Sequence, residues 1–258
     1  EWGRRCAHDL ATVQAQLQTA QVIQFVKKPA LAEVLALRVA HLTSYQNAAY
    51  AAEYRAFVEK VQAAEARLGR STQLTEAVAR YLFKLMAYKD EYEVARLHTD
   101  PAFTDKIAAM FEGDYRIVHH LAPPLWARTN ERGEAIKQSF GPWVRSAFGV
   151  LARMKGLRGS WLDVFGRSAE RRTERALIQE YRACIEELLA GLTPERLALA
   201  TEIARIPEGI RGYGHVKERH LRAARTQWDG LLAQWNQHLP ALVAATSETK
   251  RFSWVLPR

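Results

Sequence analysis

Cysteine is scarce in this chain: only Cys6 and Cys184 occur in 258 residues. They are far apart and neither has a CxxC partner. The sequence therefore carries no disulfide framework and no spaced ligand set for zinc or an iron–sulfur cluster. No histidine stands in a recognisable relation to either, so both read as packed thiols rather than nucleophiles. A reducing, cytoplasmic setting follows as the expectation. No apolar run approaches the roughly 20 residues that cross a bilayer. The first ten residues are charged and polar, without a signal-peptide pattern. Internal repeats and low-complexity linkers are missing as well. Histidine does not make good the shortage of metal ligands. His215 and His220 point about 140° apart on a helix, and His215 with Glu218 supplies two ligands where a site needs more.

What is present is a globular composition, 48% hydrophobic and 25% charged, in a chain long enough to bury a sizeable core. The formal net charge of +9 is localised. Residues 153–175 hold seven Arg/Lys against three acids, and residues 205–225 hold six against two. Together they account for +8, so the positive field sits in two windows and calls for an acidic partner. None of the usual nucleic-acid modules accompanies it, and no nucleic-acid partner is expected.

Hydrophobic periodicity reads as mainly α: a multi-helix domain with a small β-hairpin near 115–140. Asp9 caps a helix toward Lys27 and Lys28, stopped by Pro29. A long helical pattern covers about 31–68, with a break expected near Thr43-Ser44. Ser71 or Thr72 caps a helix that runs unbroken to about Leu97. Asp100-Pro101 opens a short helix over 101–112. Asn130-Glu131-Arg132-Gly133 turns the hairpin. Further helices are expected from Gly141-Pro142 to Met154, from Ser168 to Ala190, from Thr193-Pro194 to Pro207, and from His215 to Leu239. The tail from Pro240 reads as irregular. Either one compact unit over 1–258 or two lobes, about 1–113 and 141–258, fits this pattern.

Three stretches are unusually dense in mixed chemistry. KLMAYKDEYEVARL at 84–97 places Lys84, Lys89, Asp90, Glu91, Glu93 and Arg96 among aromatics at helical spacing. Asp90 and Glu91 point about 100° apart on a helix, so they form no carboxylate dyad; a buried ionic network that fixes helix register, or pairs with a neighbouring domain, is the plainer reading. RGSWLDVFGRSAERRTER at 158–175 leads into a helix on which Arg171, Arg175 and Arg182 fall within about 40°. Such a row grips carboxylates of another surface, or phosphates. In IPEGIRGYGHVKE at 206–218, Arg211, Gly212, Gly214 and Lys217 make a turn before a helix N-terminus. The third glycine of GxGxxG is lacking and no strand precedes it. The turn is either a tight packing turn or an anion cradle.

In that order and spacing the three stretches resemble the C-terminal domain of fused, single-chain indolepyruvate ferredoxin oxidoreductase, of the 2-oxoacid:ferredoxin oxidoreductase family. The likeness covers nearly the whole chain. Trp2-Gly3-Arg4 with Ala7-His8-Asp9 is similar to the end of the domain that precedes it. The resemblance implies a parent enzyme that decarboxylates aryl or branched 2-oxoacids oxidatively to acyl-CoA. Such a parent uses thiamine diphosphate, Mg²⁺ and iron–sulfur clusters and reduces ferredoxin. This chain has Gly113-Asp114-Tyr115 where a thiamine site needs Gly-Asp-Gly, so no cofactor and no catalytic residue are expected in it. It would act as a C-terminal accessory domain docked on the catalytic domains of the same polypeptide. The alternatives are a module holding coenzyme A phosphates and a docking surface for ferredoxin.

Overall fold

The computed structural model describes residue 4 and residues 7–11, 29–113, 115–121 and 136–237. Cys6, most of the helix expected from Asp9 to Lys28, Asp114, the turn expected at 130–133 and the tail from Pro240 lie outside the described residues.

Nine α-helices and one two-stranded antiparallel sheet are present among the described residues. Helix α1 (Leu31–Tyr45) and helix α2 (Ala48–Ala66) divide the first long apolar pattern. The break falls two to three residues after the Thr43-Ser44 position expected from sequence, because Asn47 is the capping residue: its side chain accepts the Tyr50 N–H at 2.8 Å.

The helix expected to run unbroken to Leu97 is instead two, α3 (Gln73–Met86) and α4 (Glu91–Thr99). Apolar spacing continues across the gap, but Asp90 starts a new helix by accepting the Glu93 N–H at 2.8 Å. The carbonyls freed at the end of α3 find outside donors. Tyr50 Oη bonds Met86 O at 3.0 Å, and Tyr45 Oη bonds Tyr88 O at 2.9 Å. At the start of α3, Thr72 is the N-cap residue without a side-chain cap bond, and Ser71 Oγ accepts the Gln73 N–H at 3.3 Å. The buried carboxylate of Glu65, reaching from α2, accepts Leu74 N–H (3.1 Å), Thr75 N–H (2.8 Å) and Thr75 Oγ1 (2.6 Å).

Helix α5 (Pro101–Ala108) follows the Asp100 cap. Strands β1 (His119–Leu121) and β2 (Gln138–Phe140) form the expected hairpin-like pair, with His119 opposite Phe140. His119 is buried and His120 exposed, as alternation across a strand requires. Helix α6 (Val144–Arg153) leads through a 3₁₀ turn into an irregular loop. Helix α7 (Ala169–Ala190) starts at Ser168, whose Oγ accepts the Arg171 N–H at 3.2 Å. Helix α8 (Leu197–Arg205), a 3₁₀ turn over Ile206–Gly209 and helix α9 (Gly214–Gln237) complete the described residues.

One hydrophobic core joins α1, α2 and α3 to α7, α8 and α9. It is centred on Leu42, Tyr54, Leu82, Tyr181, Ile185, Ile203 and Trp228. A second, small cluster of Ala95, Val144 and Phe148 seats α4 on α6 and the sheet. Among the described residues no helix is long and apolar enough to cross a membrane.

Candidate functional site

The stretches at 84–97, 158–175 and 206–218 meet in space. The tightest tie is Asp90 with Arg158. Arg158 Nε and Nη2 donate to the two carboxylate oxygens at 2.5 and 3.0 Å, and Nη1 reaches Tyr45 O (2.7 Å) and Gln46 Oε1 (2.6 Å). The guanidinium stacks 3.7 Å over the Tyr45 ring. Both side chains are out of water, 6% exposed for Arg158 and 3% for Asp90. A buried pair of this kind is sustained by its supporting hydrogen bonds. Here Asp90 also holds the first turn of α4, so one carboxylate fixes both a helix start and a distant loop.

The loop is organised from within by Asp163. Its Oδ1 accepts Gly166 N–H (2.8 Å) and the Tyr92 hydroxyl (3.2 Å), and its Oδ2 accepts Gly159 N–H (2.7 Å). Phe165 packs edge-on against the Tyr92 ring at 5.5 Å. Gly166 has to be glycine: a Cβ there would stand 2.2 Å from Asp163 Oδ2. Its carbonyl accepts Arg175 Nη2 at 2.6 Å.

Glu174, on the first turns of α7, binds two cations. Arg171 Nη1 lies 2.5 Å away, and Lys217 Nζ, from the start of α9, contacts the other oxygen. Arg171 Nη2 is also 3.6 Å from Glu91. Burial pushes the Glu91 carboxyl above its ordinary range even with Arg171 opposing it. The third stretch closes on α3. Lys84 Nζ donates to Pro207 O (2.7 Å) and Glu208 O (3.2 Å), and Tyr81 donates to Glu208 Oε2 at 2.6 Å.

Each candidate from the sequence therefore has a location. Lys84, Asp90, Glu91, Glu93 and Arg96 are bonded or ion-paired inside this chain. Glu93 takes Arg96 in a bidentate pair at 2.8 and 2.7 Å, with His41 Nε2 at 3.7 Å. Lys89 lies 5.5 Å over the exposed Tyr213 ring. The three arginines of α7 do not act as one row. Arg171 serves Glu174 and Glu91, Arg175 serves Gly166, and Arg182 faces Glu53 at 3.5 Å and the Phe57 ring. Arg211 donates from Nε to Glu208 O at 3.1 Å. Gly212 and Gly214 both adopt positive φ, +89° and +52°. A Cβ at Gly212 would meet Val216 Cγ1 at 2.7 Å, so close packing accounts for this glycine. The 206–209 turn also borders an open groove of about 410 Å³, whose mixed lining includes Gln73, Ala198, Thr201, Arg205, Ile206 and Glu208.

Sequence reasoning singled out neither Arg158 nor Asp163. The signal available for Asp163 was its place between Gly159 and Gly166 in a segment without helical spacing. Arg158 carried no comparable signal, because its partner lies 68 residues away.

Cys184 is buried and accepts the Trp228 Nε1–H at 3.2 Å, and burial pushes its thiol up to about 12, far from the thiolate an iron–sulfur cluster binds. Among the described residues no three His, Cys, Asp or Glu side chains group as metal ligands do.

The model of a protein family of unknown function, DUF6537, matches residues 31–230, which contain all three stretches. No curated protein and no solved structure matches the chain.

Proposed function

The chain thus belongs to the DUF6537 family, and we propose that it is the non-catalytic, C-terminal accessory domain of a cytoplasmic 2-oxoacid:ferredoxin oxidoreductase of the indolepyruvate type. Its work would be to dock on the catalytic domains of the same polypeptide and order them. The observation that carries this reading is the closure of the three resembling stretches on one another. Several of their charges are spent on Asp90–Arg158, on Glu174 with Arg171 and Lys217, and on the carbonyls of the 206–209 turn. Groups held this way brace a scaffold and are poorly placed to exchange protons with a substrate. Thiamine diphosphate, Mg²⁺ and the iron–sulfur clusters would belong to the preceding domains.

The test is reconstitution. The upstream part of the reading frame, produced without this segment, is expected to lose most of its indolepyruvate-dependent reduction of ferredoxin. Adding this chain should restore it. Turnover by this chain alone, or its purification with bound thiamine diphosphate or a cluster, would end the proposal.

A second reading, retention of coenzyme A phosphates at the 211–217 turn, is favoured by one observation. Lys84, Lys89 and Arg211 are exposed, and Lys89 lies over the Tyr213 ring. Partial burial, and then the neighbouring Arg211 charge, hold Lys84 below its ordinary value. Lys89→Glu should weaken coenzyme A binding at least several-fold if this reading is right. Calorimetry showing no binding to the unaltered chain rules it out.

A further inference from the structure

The loop between α6 and α7 is hydrogen-bonded inside and apolar outside. Asp163 is 3% exposed and takes three donors from Tyr92, Gly159 and Gly166, while Arg167 Nη2 donates to Trp161 O at 2.9 Å. The side chains on either side of Asp163 point the other way: Trp161 is 80% exposed, Leu162 46% and Val164 57%. Trp228 and Trp235, by contrast, are fully buried in the core. A run of three large apolar side chains in water, on a backbone held by a buried carboxylate, adds nothing to the core that the described residues form. It is what an anchor for another surface needs: large contact area at little cost in ordering.

The charge around the loop limits what that surface can be. Arg158 and Arg171 are neutralised by Asp90 and by Glu174 and Glu91. The exposed charges of 153–175 are then Arg153, Arg167 and Arg172 against Glu170 alone. A second copy of this chain would bring like charges together. A membrane would accept Trp and Arg side chains on any mobile segment and has no use for a preset backbone.

Building on the accessory-domain reading, we propose that the 159–167 loop is the docking element. Trp161, Leu162 and Val164 enter an apolar hollow with an acidic rim on the preceding part of the same polypeptide, and Arg167 and Arg172 face that rim.

The upstream polypeptide, produced separately, is titrated with this chain by calorimetry at low and high salt. The variants are Trp161→Ser and Arg167→Glu/Arg172→Glu, with thermal melts checking that each remains folded. We expect the unaltered chain to bind, Trp161→Ser to weaken binding at least tenfold with an unchanged melt, and the charge reversal to abolish the salt dependence. Should both variants bind like the unaltered chain, the loop assignment is wrong while the accessory-domain reading stands. Absence of binding by the unaltered chain overturns both. Trp161-dependent binding to ferredoxin or to phosphatidylserine vesicles, in place of the upstream polypeptide, overturns the choice of occupant. If Trp161→Ser melts early, Trp161→Gln serves in its place.

Discussion

Replacing Arg158 with Ala should be among the most damaging single changes in this domain, and its cost can be estimated from what is left behind. The Asp90 carboxylate would keep the Glu93 N–H as donor but lose both guanidinium bonds, at 2.5 and 3.0 Å, in a site 3% exposed. Tyr45 O and Gln46 would lose a donor, and the Tyr45 ring its stacked cation. Breaking one side of a buried ion pair costs about 3–5 kcal/mol. That is a large share of the roughly 5–15 kcal/mol that stabilises a domain. At about 2–4 °C per kcal/mol for a domain of this size, the thermal midpoint should fall by about 6–20 °C. Circular dichroism melts and urea titrations measure both quantities. The stranded charge is the main term in this reasoning. The double variant Arg158→Met/Asp90→Asn, which keeps a capping amide and removes both charges, should therefore recover much of the loss. A midpoint within about 1 °C of the parent for Arg158→Ala, or a double variant that loses the sum of the two single changes, would refute it.

Three further outcomes follow from the same contacts. Glu65→Ala leaves two N–H groups and a hydroxyl at the start of α3 without their buried acceptor and should cost about 2–4 kcal/mol in urea unfolding; a loss under about 0.5 kcal/mol would show that the α3 start does not depend on it. His98 sits between Phe103, His119 and Phe148, with Nδ1 buried and without a hydrogen-bond partner among the described residues; burial, and then the His119 charge, hold it below 6.5. Its folded value is the lower one, so the stability it contributes is intact above about pH 6.5 and is lost as pH falls through the folded value. Urea unfolding at pH 7.5 and 5.5 should show this loss, and His98→Leu should reduce the slope; an unchanged slope contradicts the assignment. In a Cys6→Ser background, Cys184, pushed up to about 12 by burial, should resist Ellman's reagent at pH 8 until the chain unfolds, and labelling of the folded protein within minutes would contradict that.

The helix content was open to reading because its punctuation is local. Asp100-Pro101, Ser168 and Gly191 mark ends by their own chemistry, and the structure uses each of them there. The α3–α4 break was not, because apolar spacing continues straight through residues 81–92. Only the cap bond to Asp90 and the two tyrosine hydroxyls arriving from α1 and α2 show it. Distance in sequence hid the site in the same way. The dense composition of 84–97 and 158–175 announced ionic contacts. Pairing Asp90 with Arg158 needs the fold, and so does learning that Arg171, Arg175 and Arg182, one row on a helical wheel, answer to three different neighbours.

The most direct test of the braced frame is native-state hydrogen exchange at three amides: Glu93, which bonds Asp90, and Gly159 and Gly166, which bond Asp163. If the stretches form one cooperative unit, the three amides will open with similar free energies, and Arg158→Ala will lower all three together while Thr75 falls only as far as global stability does. Three unrelated opening energies, or a change confined to Glu93, would mean that the stretches merely touch and do not hold one another.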